Sequence, residues 1–271
     1  MRFLFWNTHK NQNINRILCS LIVEYNINIV ILAEYESNSE ELIRILSQNG
    51  TLIHQYVVIG CDRIKLFGTL SMEDVEPSRA NSYCTMQKIK DELLLCAVHM
   101  PSKLRITPRT QDGVFSNVIH EIEIAEEECD IANTIIVGDF NQNPYEGGCL
   151  GAQGFHGIPI ADETKRLKRK IFDVDYKMFY NPMWNLLGDF NFPPGTYYYN
   201  TGEEINEFWH IFDQVLIRPS LRERFIDESL KIVTETSSFN LMNKRKHPNK
   251  DISDHLPIVF EIKENLSWVM I

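Results

Sequence analysis

The sequence predicts an α/β fold in a single domain, with strands and helices alternating from end to end. Three observations carry that expectation. Short apolar, β-branched runs such as NIVILA, ELLLCAV, NTIIV and IVFEI recur between amphipathic stretches. Their composition suits strands covered on both faces. No low-complexity linker and no internal repeat divides the chain, and 271 residues suffice to bury a substantial core, so residues 1–271 are taken as one unit.

Residues 2–7 read as a first strand that ends on Trp6 and Asn7, with His9 just beyond. Residues 14–25 place Ile14, Ile17, Leu18, Leu21, Ile22 and Tyr25 on one helical stripe. Residues 28–33 form a second buried strand that stops at Glu34. The run Ser37-Asn38-Ser39-Glu40-Glu41 supplies an N-cap and an acidic first turn for a helix to residue 48, closed by Asn49-Gly50. Between residues 55 and 98 short strands follow one another, QYVVIG, IKLFGTL, NSYCTMQKI and ELLLCAV, with Asp62-Arg63 as a hairpin turn. The last of these delivers His99, followed by Lys103, Arg105 and Arg109. A helix over residues 110–129 leads into the strand Thr134-Ile135-Ile136-Val137, which stops at Gly138 and delivers Asp139 and Asn141 into a turn closed by Asn143-Pro144.

Beyond Pro144 the pattern loosens. Five glycines between Gly147 and Gly157 mark a long loop, residues 162–170 read as a short basic helix, and residues 173–187 as a second candidate helix. Residues 208–217, FWHIFDQVLI, read as a strand carrying Asp213 internally, and residues 229–234 as a short strand. Residues 244–250, KRKHPNK, are a basic loop before Ser253-Asp254-His255-Leu256-Pro257 and the last strand. The tetrapeptide GDFN occurs twice, at Gly138 and Gly188; the second copy lacks a delivering strand and reads as a loop coincidence. Tyr197-Tyr198-Tyr199 fits a strand whose inward members are core, with stacking on nucleic-acid bases, shared with Trp184 and Trp209, as the alternative.

Composition is that of an ordinary globular protein, with 44% hydrophobic and 24% charged residues. The net charge of −10 argues against coating nucleic acid by bulk electrostatics, though not against an enzyme that gathers carboxylates around a metal and keeps positive charge local. No apolar run approaches the ~20 residues of a membrane helix. The apolar start of MRFLFWNTHKN is too short for a signal-peptide core, so a cytoplasmic protein without a membrane anchor is expected. The six cysteines form no CxxC pair and no metal-finger spacing, which fits a reducing compartment, with Cys19 and Cys96 as small core residues.

The strand ends form a set: Asn7, Glu34, His99, Asp139 with Asn141, and Asp254 with His255, plus Asp213. Singly, each has a structural explanation as a turn residue, a cap or a satisfied core histidine. Together they suit metal-assisted phosphate-ester hydrolysis. Mg²⁺ takes oxygen ligands, commonly one or two carboxylates with water and substrate phosphate. The chain lacks the Cys or His cluster that zinc favours, and two histidines beside several acids supply proton transfer and charge neutralisation. No GxSxG, Walker loop or GxGxxG supports acyl-transfer, P-loop or dinucleotide chemistry.

Several of these segments occur in one order across nearly the whole chain: Trp6-Asn7, Glu34 after a buried strand, VHMPS at residues 98–102, GDFNQNP at 138–144, FDQVLI at 212–217 and SDHLP at 253–257. In that order the chain resembles the endonuclease/exonuclease/phosphatase superfamily, which includes deoxyribonuclease I, apurinic endonucleases, sphingomyelinases and inositol-polyphosphate phosphatases. The resemblance implies a four-layer sandwich, two packed mixed sheets flanked by helices, with the site at one end. It implies Glu34 as the main Mg²⁺ ligand (Mn²⁺ as substitute), helped by Asn7 and Asp254, and Asp139 orienting or deprotonating the attacking water. It further implies Asn141 on a phosphate oxygen, His255 at the scissile phosphate with Asp213 holding its ring, and His99 as a second histidine there. His99 and His9 stand where the apurinic-endonuclease branch carries a tyrosine and an acid, which sets this chain apart from that branch.

Residues 145–207 match no branch and are expected to be a divergent insertion that sets substrate specificity. Two basic clusters stand out in an acidic chain: residues 165–170, which read as a solvated helix face, and Lys244, Arg245, Lys246, His247 and Lys250. The second cluster precedes Asp254-His255 and is expected to overhang the site and bind phosphate, with Lys103 and Arg105 on the other wall. The expected activity is a Mg²⁺-dependent nuclease on DNA, with RNA as a further substrate. The alternatives are hydrolysis of a small phosphodiester, phosphoinositide or other phosphomonoester, and a non-catalytic binding module on the same fold. A nuclease loose in a cell also calls for a regulatory partner.

Overall fold

The computed structural model describes residues 1–202 and 204–264. The chain opens with β1 (Arg2–Asn7), α1 (Asn15–Glu24), β2 (Ile29–Ala33) and α2 (Ser39–Gln48). Next come β3 (His54–Tyr56), β4 (Ile64–Gly68), β5 (Val75–Asn81), β6 (Cys84–Ile89) and β7 (Leu93–His99). The long α3 (Pro108–Cys129) leads to β8 (Thr134–Asp139). The segment expected as an insertion contributes α4 (Gly147–Leu150), β9 (Gly157–Ile158), α5 (Ala161–Thr164), β10 (Lys168–Ile171), β11 (Val174–Lys177), β12 (Phe179–Tyr180) and β13 (Tyr197–Tyr198). The chain continues through β14 (Trp209–His210), β15 (Asp213–Ile217), β16 (Lys231–Ile232) and β17 (Ile258–Glu261).

Two mixed sheets pack face to face. One has the order β16-β17-β1-β2-β4-β3 and the other β5-β6-β7-β8-β15-β12-β9. Period-two alternation sorts each strand's residues between layers. Phe3, Phe5, Ile29 and Ile31 face Leu95, Ala97, Ile135 and Val137 in the core between the sheets. Leu4, Trp6, Val30 and Leu32 turn outward under α1 and α2, and Leu94, Cys96, Val98 and Ile136 turn outward under α3. The result is the four-layer sandwich. The helices are set locally: the Asn38 side chain accepts from the Glu41 amide to cap α2, and Thr107 caps α3 ahead of Pro108.

The parallel pairs fix where polar residues emerge. In β1 and β2, Asn7 stands opposite Ala33, which places Glu34 just past the same edge. In β7 and β8, His99 stands opposite Asp139, and Asp213 of the antiparallel β15 pairs with Asp139 on the other side. Gly138 permits this register, because a Cβ there would lie 1.9 Å from the Val98 carbonyl oxygen.

Several expectations are corrected. Asp213 is the first residue of β15, not an internal one, because residues 208–217 break between β14 and β15. The break is held by long-range bonds: Asn143 Oδ1 accepts from the Ile211 amide, and Thr196 Oγ1 from those of Phe212 and Asp213. Residues 162–170 are not one helix. Their second half is β10, in an antiparallel ribbon with β11 whose turn is made by Phe172 and Asp173 at positive φ. Residues 173–187 hold β11, β12 and a 3-10 turn. Residues 145–207 contribute β9 and β12, which form one edge of the larger sheet. The edge strand β5, unmarked by apolar alternation, carries Pro77 beside a bulge, as an edge tolerates. Among the described residues no helix is long and apolar enough to cross a membrane. All six cysteines are free, with Cys19 and Cys96 buried.

Candidate active site

At one end of the sandwich a side-chain bond joins the two sheets, from Asn7 Nδ2 of β1 to Asp139 Oδ2 of β8 at 3.0 Å. Asp139 is buried, and its other oxygen accepts from the Asn141 amide at 2.9 Å. Burial, which penalises the charged form, raises its pKa from 3.8 to about 7 against the pull of His255.

His255 is delivered by the Ser253-Asp254-His255 turn. Ser253 Oγ donates to the Asn7 carbonyl and accepts from the His255 amide, while Trp6 Nε1 donates to the His255 carbonyl. The ring lies with Nδ1 2.9 and 3.0 Å from the two Asp213 oxygens, and Nε2 3.9 Å from Asp139 Oδ2 and 4.0 Å from Asp254 Oδ1. Burial works against charge on this ring, yet the carboxylates of Asp213, Asp139 and Asp254 outweigh it and lift the pKa from 6.5 to about 10. A charged imidazole held by a buried carboxylate follows.

His99 is tuned the opposite way. Its Nε2 lies 3.5 Å from Glu34 Oε1 and 3.7 Å from Asp139 Oδ2, while Nδ1 is buried without a hydrogen-bond partner. Burial, helped by the charges of Arg63, His255 and Arg105, drives its pKa from 6.5 to about 4 despite Glu34. Two imidazoles around one carboxylate thus hold different protonation states. Such separation of titratable neighbours is the arrangement that divides acid from base roles.

Glu34 sits in the left-handed region at φ 50°, costly for a residue with a Cβ, and so does Asn141 at φ 51°. Glu34 is pinned there through its carbonyl, which accepts from the Lys10 amide and Thr8 Oγ1. Asp254 Oδ1 is buried without an aligned hydrogen bond, although His9 Nδ1 lies 3.1 Å away.

The donors left over are oxygens, the Glu34 carboxylate and Asp254 Oδ1, beside the Asp139 oxygen that accepts from Asn7 and faces both imidazoles. Hard oxygen donors with an orphaned buried carboxylate atom fit a divalent cation such as Mg²⁺ or Mn²⁺. Asp139, Asp213 and His255 also lie close enough together to resemble a ligand set. Both Asp213 oxygens, however, are engaged by His255 Nδ1, so that trio is better read as a carboxylate–imidazole pair beside Asp139.

Not every expected residue is free for its expected part. Asn7 Oδ1 accepts from the His9 amide, and Asn141 Nδ2 donates to the Met100 carbonyl. Lys103 is not an open cation on the wall, because it is ion-paired with Glu146. Arg105 is exposed and close enough for its charge to act on His99. Lys244, Arg245 and Lys246 are exposed and touch none of the carboxylates directly. Their loop is joined to the site through rings: His247 stacks on Tyr198 at 3.5 Å, and the neighbouring Tyr197 ring lies 4.8 Å from that of His255. The expectation that inward tyrosines are core is therefore corrected, since Tyr197 lines the site.

Residues the sequence did not flag also shape the mouth. Arg63, expected only as a turn residue, acts on His99. Buried His210, its Nδ1 3.0 Å from Asn143 Nδ2, stacks on Phe212, which stacks on Tyr197. Beneath them, Gln142 Nε2 donates to Gln111 Oε1 and Gln214 Nε2 to the Gln142 carbonyl, a buried amide chain that fixes the loop after Asp139.

No family model matches the chain, and no curated protein does. Solved structures do. An AP endonuclease from Archaeoglobus fulgidus is similar at 12% identity and TM-score 0.58, over 97% of this chain and 100% of that one. D. rerio TDP2 complexed with single strand DNA product is similar at 15% and 0.55, over 97% and 99%. The 3′ phosphatase NExo from Neisseria, bound to product DNA hairpin, is similar at 14% and 0.54, over 97% and 100%. The chain shares its fold with these three structures over nearly its whole length.

Proposed function

We propose that this protein is a divalent-metal-dependent phosphodiesterase, and that its substrate is nucleic acid, DNA foremost. The observation that carries the reading is the convergence of Glu34, Asp139 and Asp254 on two oppositely tuned imidazoles, with Asp213 holding one of them. The fold neighbours solved with DNA products support the choice of substrate.

Glu34 and Asp254 would hold the Mg²⁺ or Mn²⁺, with Asn7 beside them. When bound, the cation polarises a phosphoryl oxygen and offsets developing charge. Asp139, fixed through both oxygens by Asn7 and Asn141, accepts the proton of the attacking water. With a pKa near neutrality it is matched to that task. His255 presents a charged Nε2 to the phosphate oxygens, stabilises the five-coordinate transition state and gives its proton to the leaving oxygen as that P–O bond breaks. His99 is neutral, with its Nε2 toward Glu34 and Asp139. At 3.5 and 3.7 Å from those oxygens, it stands beside both carboxylates without a close hydrogen bond to either. Asn141 swings its amide from the Met100 carbonyl to a phosphate oxygen.

The test is cleavage of plasmid and of labelled oligonucleotides in Mg²⁺ or Mn²⁺. Wild type is expected to cut, and Asp139→Ala and His255→Ala to lose ~10²–10⁴-fold. Equal behaviour of all three proteins refutes the reading.

A further inference from the structure

The two basic clusters differ in a way their sequences do not show. In the first, Lys165, Arg166, Lys168 and Lys170 each pair with a nearby carboxylate, Asp162, Glu163, Asp175 and Asp173. Four of that cluster's five cations are thereby paired, and among the described residues Arg169 alone of them has no ion pair. In the second, no ion pair is recorded among the described residues for Lys244, Arg245 or Lys246, and all three are exposed. This is open positive charge in a chain of net charge −10.

That charge is interleaved with rings. Lys246 Nζ lies 5.7 Å from the centroid of the Phe192 ring. His247 stacks on Tyr198 with planes 11° apart, and Trp209 closes edge-on against both. Tyr198 is consumed by this stack, which anchors the loop to the β13–β14 ribbon. Through Tyr197 the ribbon abuts His255, and Tyr197 and His255 also form a backbone bridge. On the outer side, the rings of Phe190 and Phe192 are 101% and 62% exposed, two apolar rings two residues apart beside the cationic loop.

Resting on the phosphodiesterase reading, we propose that this ribbon and loop are a landing site for single-stranded nucleic acid. Unpaired bases stack on Phe190 and Phe192, Lys244, Arg245 and Lys246 hold the intervening phosphates, and the anchored Tyr198–His247 stack aims the strand at His255. A duplex is disfavoured because its base faces are already stacked, whereas a single strand offers both π-faces and phosphates along one track.

The experiment is fluorescence anisotropy with labelled oligothymidylate in EDTA, so that nothing is cleaved, across a salt series. A blunt duplex of equal length and vesicles of phosphatidylcholine with phosphatidylserine serve as parallel probes. The double variant Phe190→Ala/Phe192→Ala is expected to lose single-strand affinity roughly tenfold or more. The triple variant Lys244→Gln/Arg245→Gln/Lys246→Gln is expected to flatten the log affinity–log salt slope by about 2. Both variants change exposed residues, and unchanged thermal midpoints verify their folding. Unaltered single-strand binding in both variants overturns the proposal, as does an equal loss on duplex or a loss confined to vesicles. Hydrolysis of bis(4-nitrophenyl) phosphate by wild type in Mn²⁺ reads the catalytic reading separately. Single-strand binding that responds to the variants without that hydrolysis sinks the chemistry and leaves the landing site standing.

Discussion

Replacing Asp213 with asparagine tests the electrostatic core of the site. The carboxylate accepts His255 Nδ1 through both oxygens at 2.9 and 3.0 Å, and both side chains are buried. A rise in the His255 pKa from 6.5 to about 10 corresponds, at ~1.4 kcal/mol per unit, to an upper bound of about 5 kcal/mol. Breaking a buried pair by removing one partner costs ~3–5 kcal/mol, which agrees. For a chain of this size that is a fall of roughly 10 °C in thermal midpoint. The sign follows from linkage. A histidine whose folded pKa is raised contributes its full stability below the unfolded pKa, here 6.5, and loses it as pH climbs through about 10. In EDTA, then, the midpoint difference between wild type and Asp213→Asn is largest near pH 6 and closes towards pH 10. The assay is thermal unfolding across that range, with the His255 ring followed by NMR. A difference that is constant with pH, or that widens, refutes the reasoning.

Other perturbations follow from particular contacts. Gly138→Ala sets a Cβ 1.9 Å from the Val98 carbonyl, so β7 and β8 must part; a loss of ~3 kcal/mol or more is expected in urea unfolding. Gln142→Ala strands the Gln111 carboxamide oxygen and the Gly148 amide in the buried chain, and a loss of ~1–3 kcal/mol is expected by the same measurement. His99→Ala, which removes the neutral imidazole beside Glu34 and Asp139, is expected to lower kcat ~10²-fold in the cleavage assay. Lys103→Ala is expected to change the salt dependence of substrate binding little, because Glu146 already neutralises that charge; a large change in slope contradicts the pairing.

What the sequence revealed and what it hid have different physical origins. The central strands were legible because double burial demands long apolar runs, and the polar residue that ends each run stands out against them. Thus Asn7, Glu34, His99 and Asp139 could be placed at strand ends by position alone. Asp213 was located but misplaced within its strand, because Ile211 and Phe212 continue the apolar pattern while the actual break is made by Asn143 and Thr196 from elsewhere in the chain. The β10–β11 ribbon was hidden by its lysines and arginines, good helix formers, and by a turn at Phe172-Asp173 that no glycine announces. Alternation in Tyr197-Tyr198-Tyr199 distinguishes two faces but cannot say that one of them looks into the site. Partner charges were equally invisible: only the folded chain pairs Lys103 with Glu146 and, among the described residues, leaves Lys244 to Lys246 without an ion pair.

The central claim is that carboxylates from both sheets meet around one divalent cation, and calorimetric titration of Mn²⁺ into the protein tests it most directly. Wild type is expected to show a single site whose heat disappears in Glu34→Gln and weakens in Asp254→Asn. An identical binding isotherm in all three proteins, or no heat in wild type, contradicts it.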